Sequence, residues 1–133
     1  MLSIHQAVLC SDIINDSRTG QLSYIKVIES VSAPTLPVVI KGACIGFLCS
    51  PLTPEPHATR IDLVYPDKTT INVKAFTVEL SKPFHKVVIK ISNLVFSMEG
   101  VHTLLFSCKN LSNWKSVASL PINVILTSQH ADS

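Results

Sequence analysis

Gly100-Val101-His102-Thr103-Leu104-Leu105-Phe106-Ser107-Cys108, a short polar break, then Val117-Ala118-Ser119-Leu120-Pro121-Ile122-Asn123-Val124, is the stretch that decides the fold class. Apolar and polar residues alternate on both sides of the break. Successive side chains of a strand point to opposite faces, so this alternation reads as a half-buried β-hairpin. Leu104, Phe106 and Cys108 form its inward set.

The same punctuation runs back through the chain, from Gln6 nearly to Leu126. A first strand is expected over Gln6–Ile14, ended by the turn residues Asn15-Asp16-Ser17-Arg18-Thr19-Gly20. A second covers Gln21 to about Ser32, and Pro34 and Pro37 break it because proline cannot donate to a central ladder. The third, Val38–Cys49, is apolar on both faces, which marks a central strand covered on both sides. Gly42 and Gly46 share one of its faces with Ile40, Cys44 and Leu48, where another backbone or a partner could approach closely. Three prolines stiffen the loop Ser50–His57. A fourth strand spans Thr59–Tyr65, with Arg60, Asp62 and Val64 outward, before the turn Pro66-Asp67-Lys68-Thr69.

In the fifth strand the apolar set moves from Ile71, Val73 and Ala75 to Phe76, Val78 and Leu80. That slip of one residue predicts a β-bulge near Ala75-Phe76. The sixth strand holds His85, Val87, Ile89 and Ile91 on one face, with Lys86 and Lys90 suited to solvent or a sheet edge. Asn93–Glu99 reads as a connection. No amphipathic helix longer than about two turns, repeat or linker interrupts this series. Seven to eight strands without helical crossovers predict an all-β domain over residues 1–133, a sandwich of two antiparallel sheets with its ordered core over about 5–127 and a short tail.

With 133 residues the chain can bury a core without disulfides or metal. Charged residues are scarce at 15%, which argues against disorder and leaves apolar surface for a partner. The net charge of +2 is spread along the chain, so nucleic acid is not an expected partner. No apolar run is long enough to span a bilayer, and Met1–Gln6 lacks the positive start of a signal peptide. The expectation is a cytoplasmic protein with reduced thiols and no membrane partner.

Chemistry-bearing motifs are sparse. Cys44 and Cys49 are the closest of four cysteines, but five residues apart on one strand they point to opposite faces. Cys10 and Cys108 sit in apolar strands, where a free cysteine packs as a small hydrophobe. The five histidines show no paired spacing, with His57 in a loop, His130 in the tail, and His85 and His102 in strands. Asp12 and Asp16 flank the first turn without the alternating oxygen ligands of a calcium loop. Four glycines in all leave no phosphate-binding loop. No catalytic, cofactor-binding or metal residues are assigned. Trp114 stands apart from the apolar runs, in the polar turn Lys109–Lys115, as an interface anchor or a lid over the sandwich end.

Leu9-Cys10-Ser11-Asp12, Gly20–Glu29, Leu36-Pro37, Gly100-Val101-His102 and Leu120–Val124 together resemble a family of small uncharacterised bacterial proteins. The resemblance implies an immunoglobulin-like sandwich and no established activity, and it carries no functional residues over. The cysteine-rich third strand and its Pro-rich loop depart from that family.

The function expected from these observations is a non-enzymatic protein-binding or assembly module, acting through a sheet edge or end loops. The partner would be another protein or a second copy of the chain. Trp114 and, in the Pro-rich loop, Leu52 and Pro54 are the expected contact residues. A structural subunit of a phage-derived or secretion-type particle is the alternative, and a thiol- or metal-dependent enzyme a more distant one.

Overall fold

Period-two alternation becomes strand throughout the computed structural model, which describes residues 2–19, 21–51, 55–78 and 85–127. The strands among them are β1 (Leu2–Asn15), β2 (Leu22–Val27), β3 (Ser30–Ala33), β4 (Val38–Pro51), β5 (His57–Val64), β6 (Thr70–Val78), β7 (His85–Phe96), β8 (Gly100–Asn110) and β9 (Asn113–Leu126). They form two sheets, one in the order β2-β1-β4-β7 and the other β3-β9-β8-β5-β6, called sheets A and B below.

Nine strands replace the expected seven to eight among the described residues. The extra one comes from Gln21–Ser32, which divides between the sheets. The Ile28 amide donates to the Leu9 carbonyl at 2.7 Å on the sheet A side. One residue later the Glu29 carbonyl accepts from the Asn123 amide at 3.2 Å on the sheet B side. Beyond that pivot β3 runs parallel to β9, so the sheets are mostly rather than wholly antiparallel.

The core is drawn from both inner faces. Leu9, Ile45, Phe47, Leu94 and Phe96 of sheet A meet Ile61, Leu63, Leu104, Phe106, Ile122 and Val124 of sheet B. Phe47 and Phe106 meet edge to face with ring centroids 5.7 Å apart. Each such side chain contributes roughly 1.5–3 kcal/mol when fully buried. The Tyr65 hydroxyl, just beyond β5, donates to the Val95 carbonyl of β7 at 2.9 Å and ties the sheets together.

Two departures from the expected strands lie where the apolar set changes phase. β7 continues through Asn93 to Phe96, where a connection was expected. Its buried set moves from Ile89 and Ile91 to Leu94 and Phe96, because the ladder to β4 passes over Gly42, whose φ is +73°. In β6 the register shifts opposite Ile61/Asp62, between Asn72 and Lys74, so the irregularity sits at Val73, ahead of the expected Ala75-Phe76. The extra residue there lets Val73, Phe76 and Val78 all reach the core.

β4 lies between β1 and β7, and its outer face is covered as well at Cys44 and Gly46, whereas Val39 and Lys41 are exposed, so the expected double cover holds for only part of the strand. The tip of the β1–β2 hairpin folds over it. A Cβ at Gly46 would stand 2.6 Å from Tyr24 Cε1 and 2.8 Å from Ile13 Cδ1. The close neighbour at Gly46 is therefore a ring of the same chain.

Candidate functional site

The β8–β9 hairpin turns through Leu111-Ser112, with Asn110 opposite Asn113. Leu111 takes a φ of +61° and is 92% exposed. Trp114 belongs to β9 rather than to the turn, opposite Lys109 on the outer face of sheet B. It neither projects from a loop nor lids the sandwich end. The Arg60 guanidinium of β5 lies 4.4 Å from its ring centroid. Arg60 and Ser116 both stand opposite Ser107 in the ladder, so the small, buried Ser107 lies between the strands that carry the stacked pair.

Arg60 Nε in turn lies 3.1 Å from Asp62 Oδ2, an ion pair without hydrogen-bond alignment. The Asn72 amide on β6 donates to Asp62 Oδ1 at 3.0 Å. Asp62 is an outward residue only 6% exposed, so its carboxylate is held under its neighbours. The chain Trp114–Arg60–Asp62–Asn72 thus crosses sheet B from β9 to β6. It fixes a tryptophan that remains 37% exposed. Cation–π stacking at such a site contributes about 0.5–1 kcal/mol. Leu52 and Pro54 lie outside the described residues.

A second feature is an apolar cleft of about 580 Å³ at the β2-to-β3 pivot, lined by Val8, Val27, Ile28, Val101, Leu120 and neighbours, with Glu29 and Asn123 at its polar side. Its volume lies in the range of small-molecule sites. Nothing in the sequence signalled it, because its walls come from β1, β2, β8 and β9.

His102, read from sequence as one member of an alternating strand, is wholly buried. Its Nδ1 lies 3.2 Å from the Gly100 carbonyl, and Phe96 and Tyr65 meet it edge to face at 5.0 and 5.2 Å. Its Nε2 has no hydrogen-bond partner among the described residues. His57 is the first residue of β5 and buried, not part of a loop.

All four cysteines are buried, and no disulfide joins them. Cys49 and Cys108 face the core, whereas Cys10 and Cys44 lie outside it on the opposite side of sheet A. Burial pushes the Cys49 thiol above its ordinary pKa. Burial, with Cys44 beside it, does the same to Cys10. Burial and the nearby Cys10 raise the Tyr24 phenol. Raised in this way, the Cys10 and Cys49 thiols are protonated at neutral pH. Asp67 is shifted the other way, held below the usual carboxylate value by the hydroxyl and amide of Thr69, at 2.6 and 3.0 Å.

No group of three or more His, Cys, Asp or Glu side chains placed to hold a metal occurs among the described residues. No helix among them is long and apolar enough to cross a membrane. No curated protein matches the chain. Residues 5–125 match a family of unknown function, DUF6941, and the chain belongs to that family.

Proposed function

We propose that this protein is a non-enzymatic binding module that engages another protein through the outer face of sheet B, with Trp114 as anchor. The observation that carries this reading is the stack of Arg60 on a part-exposed Trp114, itself braced by Asp62 and Asn72. Tryptophan and arginine dominate the energetics of protein interfaces. Holding them in place before binding lowers the ordering cost of association. The fully exposed Leu111 at the adjacent tip extends the apolar part of the surface.

An immunoglobulin-like topology is part of the proposal. The grouping of β1, β4 and β7 in one sheet and β5, β8 and β9 in the other is the arrangement of strands A, B, E and C, F, G in such domains. Four buried thiols without a disulfide support a reducing compartment such as a bacterial cytoplasm.

The test is affinity capture from the native host, identification of a stoichiometric partner, and titration of that purified partner against the wild type and Trp114→Ala. A loss of tenfold or more in affinity, about 1.4 kcal/mol, is expected while the thermal unfolding curve stays cooperative. Unchanged affinity removes Trp114 from the interface and this reading with it. A homo-oligomer that Trp114→Ala dissolves identifies the partner as a second copy.

A further inference from the structure

We propose that Cys10 and Cys44 form a site of reversible oxidation, at which hydrogen peroxide converts the two thiols into a disulfide across the β1–β4 ladder. The two residues stand directly opposite each other in that antiparallel pair. Directly opposite side chains leave a sheet on the same face. Opposed Cα atoms in antiparallel strands are about 4.5–5.5 Å apart, inside the roughly 4.4–6.8 Å that a disulfide spans. Cys10 Sγ already reaches across the ladder, 3.6 Å from the Cys44 carbonyl oxygen.

The ladders place residues other than cysteine opposite the remaining two cysteines. Cys49 faces Ile4 and His85, and Cys108 faces Thr59 and Lys115. Both also lie in the core cluster, on the far side of the sheet from Cys44.

The two thiols differ in access, which sets the order of events. A hollow of about 340 Å³, lined by Cys44, Asp12, Gly42, Lys90 and Ser92, opens beside Cys44. Gly42 leaves it wide, since a Cβ there would meet nothing within 4 Å. Cys10 is wholly buried, beside Tyr24 of the folded-over hairpin. Peroxide therefore meets Cys44 first. The Cys44 sulfur attacks one peroxide oxygen, the O–O bond breaks, and the products are a sulfenic acid and water. The Cys10 sulfur then attacks the Cys44 sulfur, displacing the hydroxyl as a second water and forming the S–S bond. Two electrons leave the thiol pair and reduce one peroxide. A dithiol such as dithiothreitol reverses the reaction by exchange. The product ties β1 to β4 where the hairpin leaves the sheet, so oxidation clamps the base of the fold-over.

The unmodified chain is treated with a small excess of peroxide, the peroxide is removed, residual thiols are capped with N-ethylmaleimide in concentrated urea, which uncovers them, and unreduced peptides are mapped by mass spectrometry. The expected product joins the Cys10 and Cys44 peptides with loss of two hydrogens and disappears on reduction, while Cys49 and Cys108 carry the cap. In Cys10→Ser the reaction stops at a sulfenic acid on Cys44, trapped by dimedone. A Cys49→Ser/Cys108→Ser variant still forms the link at a rate within about twofold of wild type. Recovery of Cys10 and Cys44 as capped thiols, or a link through Cys49 or Cys108, overturns the proposal.

Discussion

At position 46 a single methyl group would collide with the Tyr24 ring, and no strand rotation relieves it because Ile45 and Phe47 fix the inner face. Gly46→Ala is expected to lose about 1–3 kcal/mol in urea unfolding. In a Tyr24→Ala background the same change costs markedly less, and the double-mutant cycle measures the contact. Tyr65→Phe removes one inter-sheet hydrogen bond and is expected to lose about 1 kcal/mol in the same assay. At this scale the sequence told part of the story. A close approach at Gly46 was legible from a glycine in an apolar strand, but the ring that makes it was not, because Tyr24 arrives by a fold-over that no local pattern encodes. Cys44 and Cys49 drew attention by adjacency, whereas the spatial pair is Cys10 and Cys44, which register alone reveals. Trp114 stood out by composition, while Arg60, its partner across β8, carried no signal until β5, β8 and β9 were aligned.

Among the elements, strands with unbroken alternation were legible over most of their length, as in β5 from Thr59 onward and β8 as far as Cys108. Errors gathered where the apolar set changes phase. The slip in β6 was seen and placed slightly too late. The similar slip in β7 was taken for the end of the strand, since its cause is Gly42 on the neighbouring β4. The division of Gln21–Ser32 was hidden because no glycine or proline separates its halves, and only their partners differ. β7 borders sheet A with Lys86 and Lys90 along it, the charge that blunts edge-to-edge pairing. Replacing both lysines by valine is expected to leave the strand intact, by circular dichroism, and to produce concentration-dependent association in light scattering that wild type lacks.

For the molecule as a whole, pH stability follows from the shifted groups. Cys10, Cys49 and Tyr24 have native pKa values above their ordinary ones. The unfolded chain therefore releases these protons first. Their contribution is full below the unfolded values, about 8.5 for cysteine and 10 for tyrosine, and is lost as pH rises through the native values. The urea midpoint is expected to hold to about pH 8 and fall above it, less steeply in Cys10→Ser. Asp67 behaves oppositely. Its lowered pKa stabilises the native state above the unfolded value of about 3.9 and is lost as pH falls through the native one. Asp67→Asn should flatten the acid limb below about pH 4 while leaving the alkaline limb unchanged.

The pivot at Ile28-Glu29 has a mechanical consequence. Tension that draws β1 away from β9 travels through β2 into the start of β3, while β9 is pulled from its far end. Because β3 and β9 run in the same direction over Ser30–Ala33 and Asn123–Leu126, that tension slides the two strands past each other. Their hydrogen bonds are then strained together instead of being peeled open one by one. The four residues of β3, the shortest of the described strands, thereby become the clasp that decides how much force the sandwich withstands.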